Sequence, residues 1–193
     1  FGAINLVDTA AESTASVMTR VLDRLGTDID SDIAACLYAG LLTDTGSFRW
    51  VRPGSHQLAE RLLATGIDGG AIARALLDSH PFGWLPMLSS VLGSAELVPD
   101  AAAGAGLVYA LVRRADVHGL RSEEVESVID IVRTTAEAEV AAVFKQTADE
   151  SGHVWAVSLR SKTLVDVSVI AAALGGGGHR YAAGYTTVGS AQE

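Results

Sequence analysis

The amino-acid sequence predicts an α/β to α+β fold, in which a helical first part precedes a mixed-sheet α+β unit. Apolar residues recur at helical spacing up to about residue 77, whereas strand-like runs alternate with helices from about residue 95. Between these parts, Pro81, Gly83 and Pro86 stand close together where the pattern changes, which is typical of a junction. We therefore predict domains at residues 1–77 and 95–193, joined by a linker region at 78–94.

Helices account for the first part. Thr9–Glu12 has a capping-box pattern, and an apolar stripe at helical spacing follows it. The stripe consists of Val17, Met18, Val21, Leu22 and Leu25. The next segment, Ile33–Leu42, is apolar on nearly all sides, which indicates a buried helix. Shorter helices are expected around residues 58–63 and 72–76, separated by glycines.

Strands and helices alternate in the second part. Runs rich in β-branched residues predict strands. These are Leu107–Val112, Val140–Phe144 and Val154–Leu159, the last two on either side of a turn at Asp149–Gly152. A helix is predicted to open at Ser122, and another to extend from Asp166 to Leu174. A last strand near Tyr185 completes the α+β unit.

Composition restricts the classes of function. The chain has 193 residues and a formal net charge of −9, which argues against a long nucleic-acid duplex as partner, because surfaces that follow phosphates are basic. Its single cysteine, Cys36, excludes an internal disulfide and favours a reducing, cytoplasmic location. The longest apolar run is too short to cross a bilayer, so no membrane partner is expected.

The most informative stretch is the glycine run Gly175–Gly178, which leads into His179 and Arg180. Glycine permits a close approach to the backbone, and successive N–H groups in such a turn can form an anion nest. A flexible linker is the alternative. Helical spacing continues up to the first glycine and no polar filler follows, so the pattern favours a bound anion, most simply phosphate.

Two further residues are candidates for the same chemistry. Asp44 is predicted near a helix C-terminus, where the dipole disfavours a carboxylate and a hard cation such as Mg²⁺ or Mn²⁺ would compensate. Arg160 ends a predicted strand, on the opposite face from Trp155 and Leu159, and its planar fork suits phosphate. An exposed loop aspartate and a solvated strand-end arginine are the alternatives.

Several stretches resemble the DHH phosphoesterase superfamily, in particular its bacterial nanoRNase, 3′-phosphoadenosine-5′-phosphate (pAp) phosphatase and cyclic-dinucleotide phosphodiesterase type. They are Phe1–Asp8, Ala11–Thr14, Leu42–Phe48, Ser158–Ser161, Asp166–Ser168 and Gly175–Gly184. The first two look like the segment after the family's Asp-His-His motif, and the third like its fourth metal motif. The remaining stretches look like the DHH-associated domain that binds substrate.

The resemblance implies a hydrolase whose helical first part is the remainder of a Rossmann-like DHH domain, with the active site in the cleft between two lobes. Two Mn²⁺ ions, or Mg²⁺ or Co²⁺ in their place, would activate a water for attack on phosphorus. Asp44 would be a catalytic metal ligand and His179 a second catalytic residue. The expected phosphate-binding residues are Arg160, Ser161, Gly177, Gly178 and His179.

By the same resemblance, the substrates would be short oligoribonucleotides, pAp, and linear or cyclic dinucleotides, and the full-length enzyme would be a homodimer. The family's other metal ligands, including its Asp-His-His triplet, do not occur in this sequence. We therefore expect this chain to be the C-terminal part of the enzyme and to be inactive alone. A nucleotide-binding regulatory module without catalysis and a single-strand exonuclease of the RecJ kind are the alternatives.

Overall fold

The computed structural model describes residues 2–147 and 153–189, so the turn predicted at Asp149–Gly152 lies outside the described residues. The contacts divide the chain into two compact units, residues 1–79 and 80–193. The predicted linker boundaries at 78 and 94 stay a prediction. In the described residues, no helix is both long enough and apolar enough to cross a membrane.

The first unit contains four helices in its described residues. They are α1 (Thr14–Leu25), α2 (Ser31–Asp44), α3 (Ser55–Leu63) and α4 (Gly69–Leu77). The α2 helix packs against the other three and supplies most of the core, including the fully buried Leu41. The prediction of a buried helix at Ile33–Leu42 is therefore confirmed, although Cys36 lies on its exposed side.

The capping box predicted at Thr9–Glu12 is wrong. The α1 helix begins at Thr14, and the side chain of Ser13 caps it by accepting a hydrogen bond from the amide of Ser16 at 3.0 Å. Glu12 instead accepts hydrogen bonds from the hydroxyls of Ser16 and Ser55, each at 2.9 Å, and so joins the starts of α1 and α3. A glutamate whose carboxylate is hydrogen-bonded to a residue distant in sequence cannot be distinguished, in the sequence, from a glutamate in a capping box.

The second unit is built on a mixed sheet. In chain order its elements are α5 (Trp84–Gly93), β1 (Glu96–Val98), α6 (Ala101–Gly104), β2 (Leu107–Val112), α7 (Ser122–Glu126), α8 (Val128–Val132), β3 (Val140–Gln146), β4 (Val154–Ser161), α9 (Val167–Ala173), β5 (Gly177–His179) and β6 (Ala182–Val188). The described strands form one sheet of order β1-β2-β3-β4-β6-β5, in which β2 and β3 are parallel and all other neighbours are antiparallel.

Each face of this sheet has its own apolar core. On one face, Val108, Ala141 and Val143 pack among residues of α5 and α8. On the other face, Trp155 and Leu159 pack with α9. Successive residues of β4 alternate between these faces, so Arg160 lies on the α8 face while its neighbour Leu159 is buried on the α9 face. The face predicted for Arg160 is confirmed.

Candidate functional site

Strand register brings Arg160 and His179 together. Arg160 on β4 is paired with Ala182 on β6, and Ala182 is also paired with His179 on β5. Directly paired residues project from the same face of a sheet, so the arginine and histidine stand on one face with a single alanine between them. Two interstrand spacings separate their Cα atoms, about 10 Å. Both side chains can therefore approach one small anion above Ala182. We call Arg160, Ala182 and His179 the row.

The sheet surface beside the row is formed by small residues, and we call this surface the floor. Gly177, Gly184 and Ser158 are paired across the same three strands, one step further along the sheet. Gly177 is exposed, and Gly184 and Ser158 are half-buried. A floor without large side chains lets a ligand lie close to the backbone.

The glycine run ends α9 and then becomes the strand β5. Gly175 has φ +81°, and its amide donates to the carbonyl oxygen of Ala172 at 3.1 Å. The amide of Gly176 donates to the carbonyl oxygen of Ala171 at 2.8 Å, which completes a Schellman motif. Two of the four glycine amides are thus used by the helix. The four glycine amides therefore do not form one anion nest, which was one interpretation of the sequence.

The glycines differ in the room that they leave for a side chain. A Cβ on Gly176 would lie 2.1 Å from the carbonyl oxygen of Gly184, and one on Gly178 would lie 2.5 Å from the Cα of Ala183. Gly178 also has φ +146°, which side chains rarely adopt. A Cβ on Gly177 would have no neighbour within 4 Å. Packing therefore explains glycine at 176 and 178 but leaves 177 without a structural reason.

Arg160 borders an open hollow of about 390 Å³ between the sheet and the α7–α8 segment. The other lining residues are Ser122, Glu123, Glu126, Ser127 and Asp130. One guanidinium nitrogen of Arg160, Nη1, donates to the carbonyl oxygen of Leu159 at 3.0 Å. Among the residues described, no carboxylate forms an ion pair with Arg160. Its charge is therefore available to an anionic ligand.

A second cationic side chain on the sheet face of Arg160 already forms an ion pair. Lys145 has a side chain only 12% exposed, and its Nζ donates to Glu126 and, at 2.8 Å, to the hydroxyl of Ser158. The hydroxyl of Ser158 in turn donates to Oε2 of Glu126 at 3.3 Å. Sequence reasoning missed this cluster, because its members come from three elements. Only the lysine that follows the apolar run Val140–Phe144 marks it in the sequence.

Ser161 lies on the face opposite to Arg160. It is paired with Val140, whose side chain belongs to the α9 core, and its hydroxyl donates to Oε1 of Glu139 at 2.8 Å. Its hydrogen is thus already given to a carboxylate on the far side of the sheet. The placement of Ser161 contradicts direct contact with a phosphate held by Arg160, so we remove it from the candidate site.

Glu139 holds the segment that follows β4. Besides Ser161, its Oε1 accepts from the amides of Thr163 at 2.7 Å, Leu164 at 2.6 Å and Val165 at 3.3 Å. Burial by itself would raise the pKa of this carboxyl, but these donors outweigh it and lower the pKa to about 2. Glu139 is therefore a charged, buried anchor for the end of β4. It adjoins an apolar strand in sequence, and nothing there distinguishes it from a surface glutamate.

Asp44 belongs to the other unit, where it is the last residue of α2 and is exposed. The three residues Gly46, Ser47 and Phe48 have φ of 55°, 61° and 62° in succession. Left-handed conformations are costly for residues with a side chain, and they persist where the surroundings enforce them, often at functional sites. The turn after Asp44 therefore has the kind of backbone strain that often occurs at functional sites.

Thr45 and Trp50 maintain this turn. The hydroxyl of buried Thr45 donates to the carbonyl oxygen of Leu41 at 2.7 Å and accepts from the amide of Phe48 at 3.0 Å. The ring of Trp50 covers Gly46 so closely that a Cβ there would lie 2.2 Å from Cζ3. Asp44 therefore stands at the end of α2, directly before a turn that these contacts hold in place. Within residues 2–147 and 153–189, however, no three His, Cys, Asp or Glu side chains are grouped to hold a metal ion.

The fold and the site together define an α+β domain in which an arginine, a histidine and small residues share one sheet face. Residues 104–192 match the family model of the DHHA1 domain. The chain is 30% identical over 191 residues to the bifunctional oligoribonuclease and PAP phosphatase NrnA of Thermus thermophilus, and 30% identical over 186 residues to the probable enzyme of that name from Streptococcus mutans. Residues 104–192 are therefore a DHHA1 domain, and the chain is similar over nearly its whole length to part of these longer relatives, which confirms the resemblance.

The matches cover nearly all of this chain but only part of each relative. They include 98% of the chain and 55% of the Thermus protein, and 95% and 57% for the Streptococcus protein. A crystal structure of an exopolyphosphatase-related protein from Bacteroides fragilis superposes with a TM-score of 0.87 at 22% identity, over 98% of this chain and 56% of that one. This superposition confirms the predicted fold class.

Proposed function

We propose that this chain is the substrate-binding part of a phosphoesterase that hydrolyses short nucleotides, and that it holds a phosphate group of pAp, an oligoribonucleotide or a linear or cyclic dinucleotide above Ala182. The observation that carries the proposal is the row formed by Arg160, Ala182 and His179. The names of the relatives support this substrate class, since both refer to oligoribonuclease and PAP phosphatase.

The chemistry of the row suits a phosphate. The guanidinium of Arg160 can donate two parallel hydrogen bonds to phosphoryl oxygens, and it has no carboxylate partner in the described part of the chain. The imidazole of His179 adds a further donor from the edge strand. Because Gly177 has no side chain and the space above it is open, the nucleoside has room to lie along the sheet. These residues bind and orient the substrate, which lowers the entropic barrier to its reaction.

The family's two-metal chemistry does not fit this chain by itself. Asp44 is the one predicted ligand, and a metal pair needs several oxygen donors, which no group of described residues supplies. We propose that Asp44 contributes to such a site only together with other ligands, and we derive no catalytic step through it. Mn²⁺ as the metal and pairing of two full-length copies stay predictions.

A nucleotide-binding module without catalysis is the second candidate function. The lack of a ligand cluster within the described residues favours it. Mixing the chain with a separately expressed DHH domain discriminates between the two candidates. Hydrolysis of pAp that depends on both polypeptides and on Mn²⁺ would support the phosphoesterase, whereas tight binding without turnover would support the module.

The chain alone is expected to bind pAp and to leave it unhydrolysed. Because the phosphate contacts come from side chains of one unit, binding should not require a divalent cation. Calorimetric titration with pAp in the presence of Mn²⁺ or of EDTA measures this, and phosphate release measures turnover. Mn²⁺-dependent hydrolysis of pAp or of the dinucleotide pApA by the chain alone would contradict the proposal, as would the absence of any binding.

The glycine run offers a matched pair of substitutions. Gly177→Ala is expected to leave the melting temperature unchanged or slightly higher, because its Cβ points into open space. It should weaken pAp binding about tenfold, because a methyl group on the floor displaces the ligand. Gly176→Ala should instead lower the free energy of unfolding by about 2 kcal/mol or more, through its clash with Gly184.

Thermal unfolding followed by circular dichroism, together with pAp titration of both variants, tests the pair. If Gly177→Ala binds pAp as tightly as the unchanged chain, the floor does not contact the ligand, and the site must be placed elsewhere.

A further inference from the structure

The cluster of Lys145, Glu126 and Ser158 adjoins the proposed phosphate position, and the phosphate contacts proposed above use none of its side chains. Ser158 precedes Arg160 by two residues on the same face of β4, a distance of about 7 Å along the strand. In a nucleotide, the ribose 2′-hydroxyl is the nearest neighbour of a 3′-phosphate. If Arg160 and His179 hold the 3′-phosphate of pAp, Ser158 is therefore within reach of that hydroxyl when the ribose extends along β4.

The charge of the hollow indicates which group fits there. Its α7–α8 wall carries Glu123, Glu126 and Asp130, which repel phosphate, so the phosphate bound by Arg160 is placed on the Ala182 side of the arginine and not in the hollow. Carboxylates instead accept hydrogen bonds from hydroxyls, and a carboxylate is the usual partner of ribose hydroxyls in dinucleotide-binding folds. The side chain of Glu126 is 56% exposed, so its oxygens retain room for another donor.

The cluster is also held in place. Lys145 is mostly buried, and its ammonium donates to both Glu126 and Ser158. Because the hydroxyl of Ser158 accepts from Lys145 and donates to Glu126, its oxygen is fixed in position. Three residues from α7, β3 and β4 thus present two oriented acceptors at one end of the phosphate row. Orientation of this kind gives specificity more than affinity.

We infer that Glu126 and Ser158 recognise the 2′-hydroxyl of the nucleotide whose phosphate Arg160 binds, and so distinguish ribonucleotides from deoxyribonucleotides. The inference rests on the proposed function and adds the sugar to it. The 2′-hydroxyl is the group by which a protein separates RNA from DNA, and one oriented hydrogen bond to a charged acceptor accounts for a preference of about tenfold.

The test compares pAp with its 2′-deoxy analogue by calorimetric titration of the full chain. The unchanged chain is expected to bind pAp about tenfold more tightly than the analogue. Ser158→Ala and Glu126→Gln should each reduce this preference to about twofold or less, while the affinity for the deoxy analogue stays nearly constant. Glu123→Gln is the matched control, since it removes a carboxylate from the same hollow wall and should keep the preference.

Two results separate the failure of this inference from the failure of the proposed function. Equal affinity of the unchanged chain for both ligands, with loss of both in Arg160→Ala, would overturn the sugar recognition and leave the phosphate site standing. Absence of binding to either ligand would overturn the phosphate site and the inference with it. Because Ser158→Ala keeps the ion pair of Lys145 with Glu126, it remains informative if Glu126→Gln unfolds, and thermal unfolding of each variant detects that case.

Discussion

Replacing Glu139 by alanine is expected to lower the free energy of unfolding of the second unit by about 3 kcal/mol. The carboxylate accepts hydrogen bonds from three backbone amides and the hydroxyl of Ser161. A hydrogen bond to a charged group contributes about 1.5–3 kcal/mol net, and four donors that share one oxygen contribute less than the sum of separate bonds. Loss of the carboxylate leaves these four donors without their shared acceptor, and Glu139 itself is only 8% exposed. Such a residue is among the few whose removal destabilises strongly.

Chemical denaturation at neutral pH measures this effect, with Glu137→Ala as the control. Glu137 is exposed and lies two residues earlier, so its removal changes the net charge equally without breaking the anchor. The control is expected to stay within about 0.5 kcal/mol of the unchanged chain. Equal destabilisation by both substitutions would show that net charge, and not the contacts of Glu139, determines the stability.

The same residue makes stability depend on pH in a defined interval. The pKa of Glu139 is lowered to about 2 from the ordinary glutamate value of about 4.5. Because the folded state binds the proton more weakly than the unfolded chain, the contribution of Glu139 is complete above about pH 4.5 and is lost as the pH falls toward 2. Glu139→Gln should therefore flatten the pH dependence of unfolding in this interval. An unchanged slope would contradict the assignment.

The regular parts of the fold were predictable because their side chains follow a simple period. Strand β2 occupies the predicted residues, Leu107–Val112, and β4 extends the predicted run by two residues. The edge strand β5 was not predicted, since its sequence is Gly-Gly-His and it becomes a strand only by pairing with β6. Strand propensity depends on such context more than on the residues themselves.

The helix predicted from Ser122 shows the same limit. It is divided at Ser127, whose hydroxyl donates to the carbonyl oxygen of Glu124 at 2.8 Å and accepts from the indole nitrogen of Trp84 at 3.1 Å. A side chain that competes for a helix carbonyl favours a break, but the tryptophan lies 43 residues away in sequence. Local pattern cannot reveal that partner.

The candidate site was predictable only in part for a similar reason. Alternation along β4 gives the face of Arg160, and the glycine run marks the neighbourhood of His179. Their juxtaposition requires the register of β6 between them, which no period in the sequence encodes. The partner of Ser161 is 22 residues away, so its proximity to Arg160 in the sequence was misleading.

Replacing Arg160 by alanine is expected to weaken pAp binding about 100-fold. The guanidinium is the one strong cation in the row and would form two charge-assisted hydrogen bonds with the phosphate, whose loss corresponds to about 2–3 kcal/mol. Arg160→Lys keeps the charge but loses the planar fork, so it should recover only part of the affinity, to within about tenfold of the unchanged chain. Calorimetric titration with pAp at constant salt measures all three proteins.

Arg180 provides the control for charge. It lies one residue from His179 at the turn between β5 and β6, and its guanidinium stands 5.4 Å from the ring centroid of Tyr181. Arg180→Ala removes the same charge at nearly the same place and should weaken binding by about twofold at most. If Arg180→Ala weakens binding as much as Arg160→Ala, general electrostatic attraction accounts for the affinity. Specific contacts between the phosphate and the row would then be excluded as its cause.

A double-mutant cycle decides whether Arg160 and His179 hold the same phosphate. If both contact one anion above Ala182, removal of either leaves the other poorly oriented, and the effects of the two alanine substitutions combine to less than their sum. We expect His179→Ala alone to cost about tenfold in affinity, and nearly nothing further once Arg160 is absent. Additive effects would mean that Arg160 and His179 bind separate groups. Their position in one row would then result from strand register alone and would not indicate a shared phosphate.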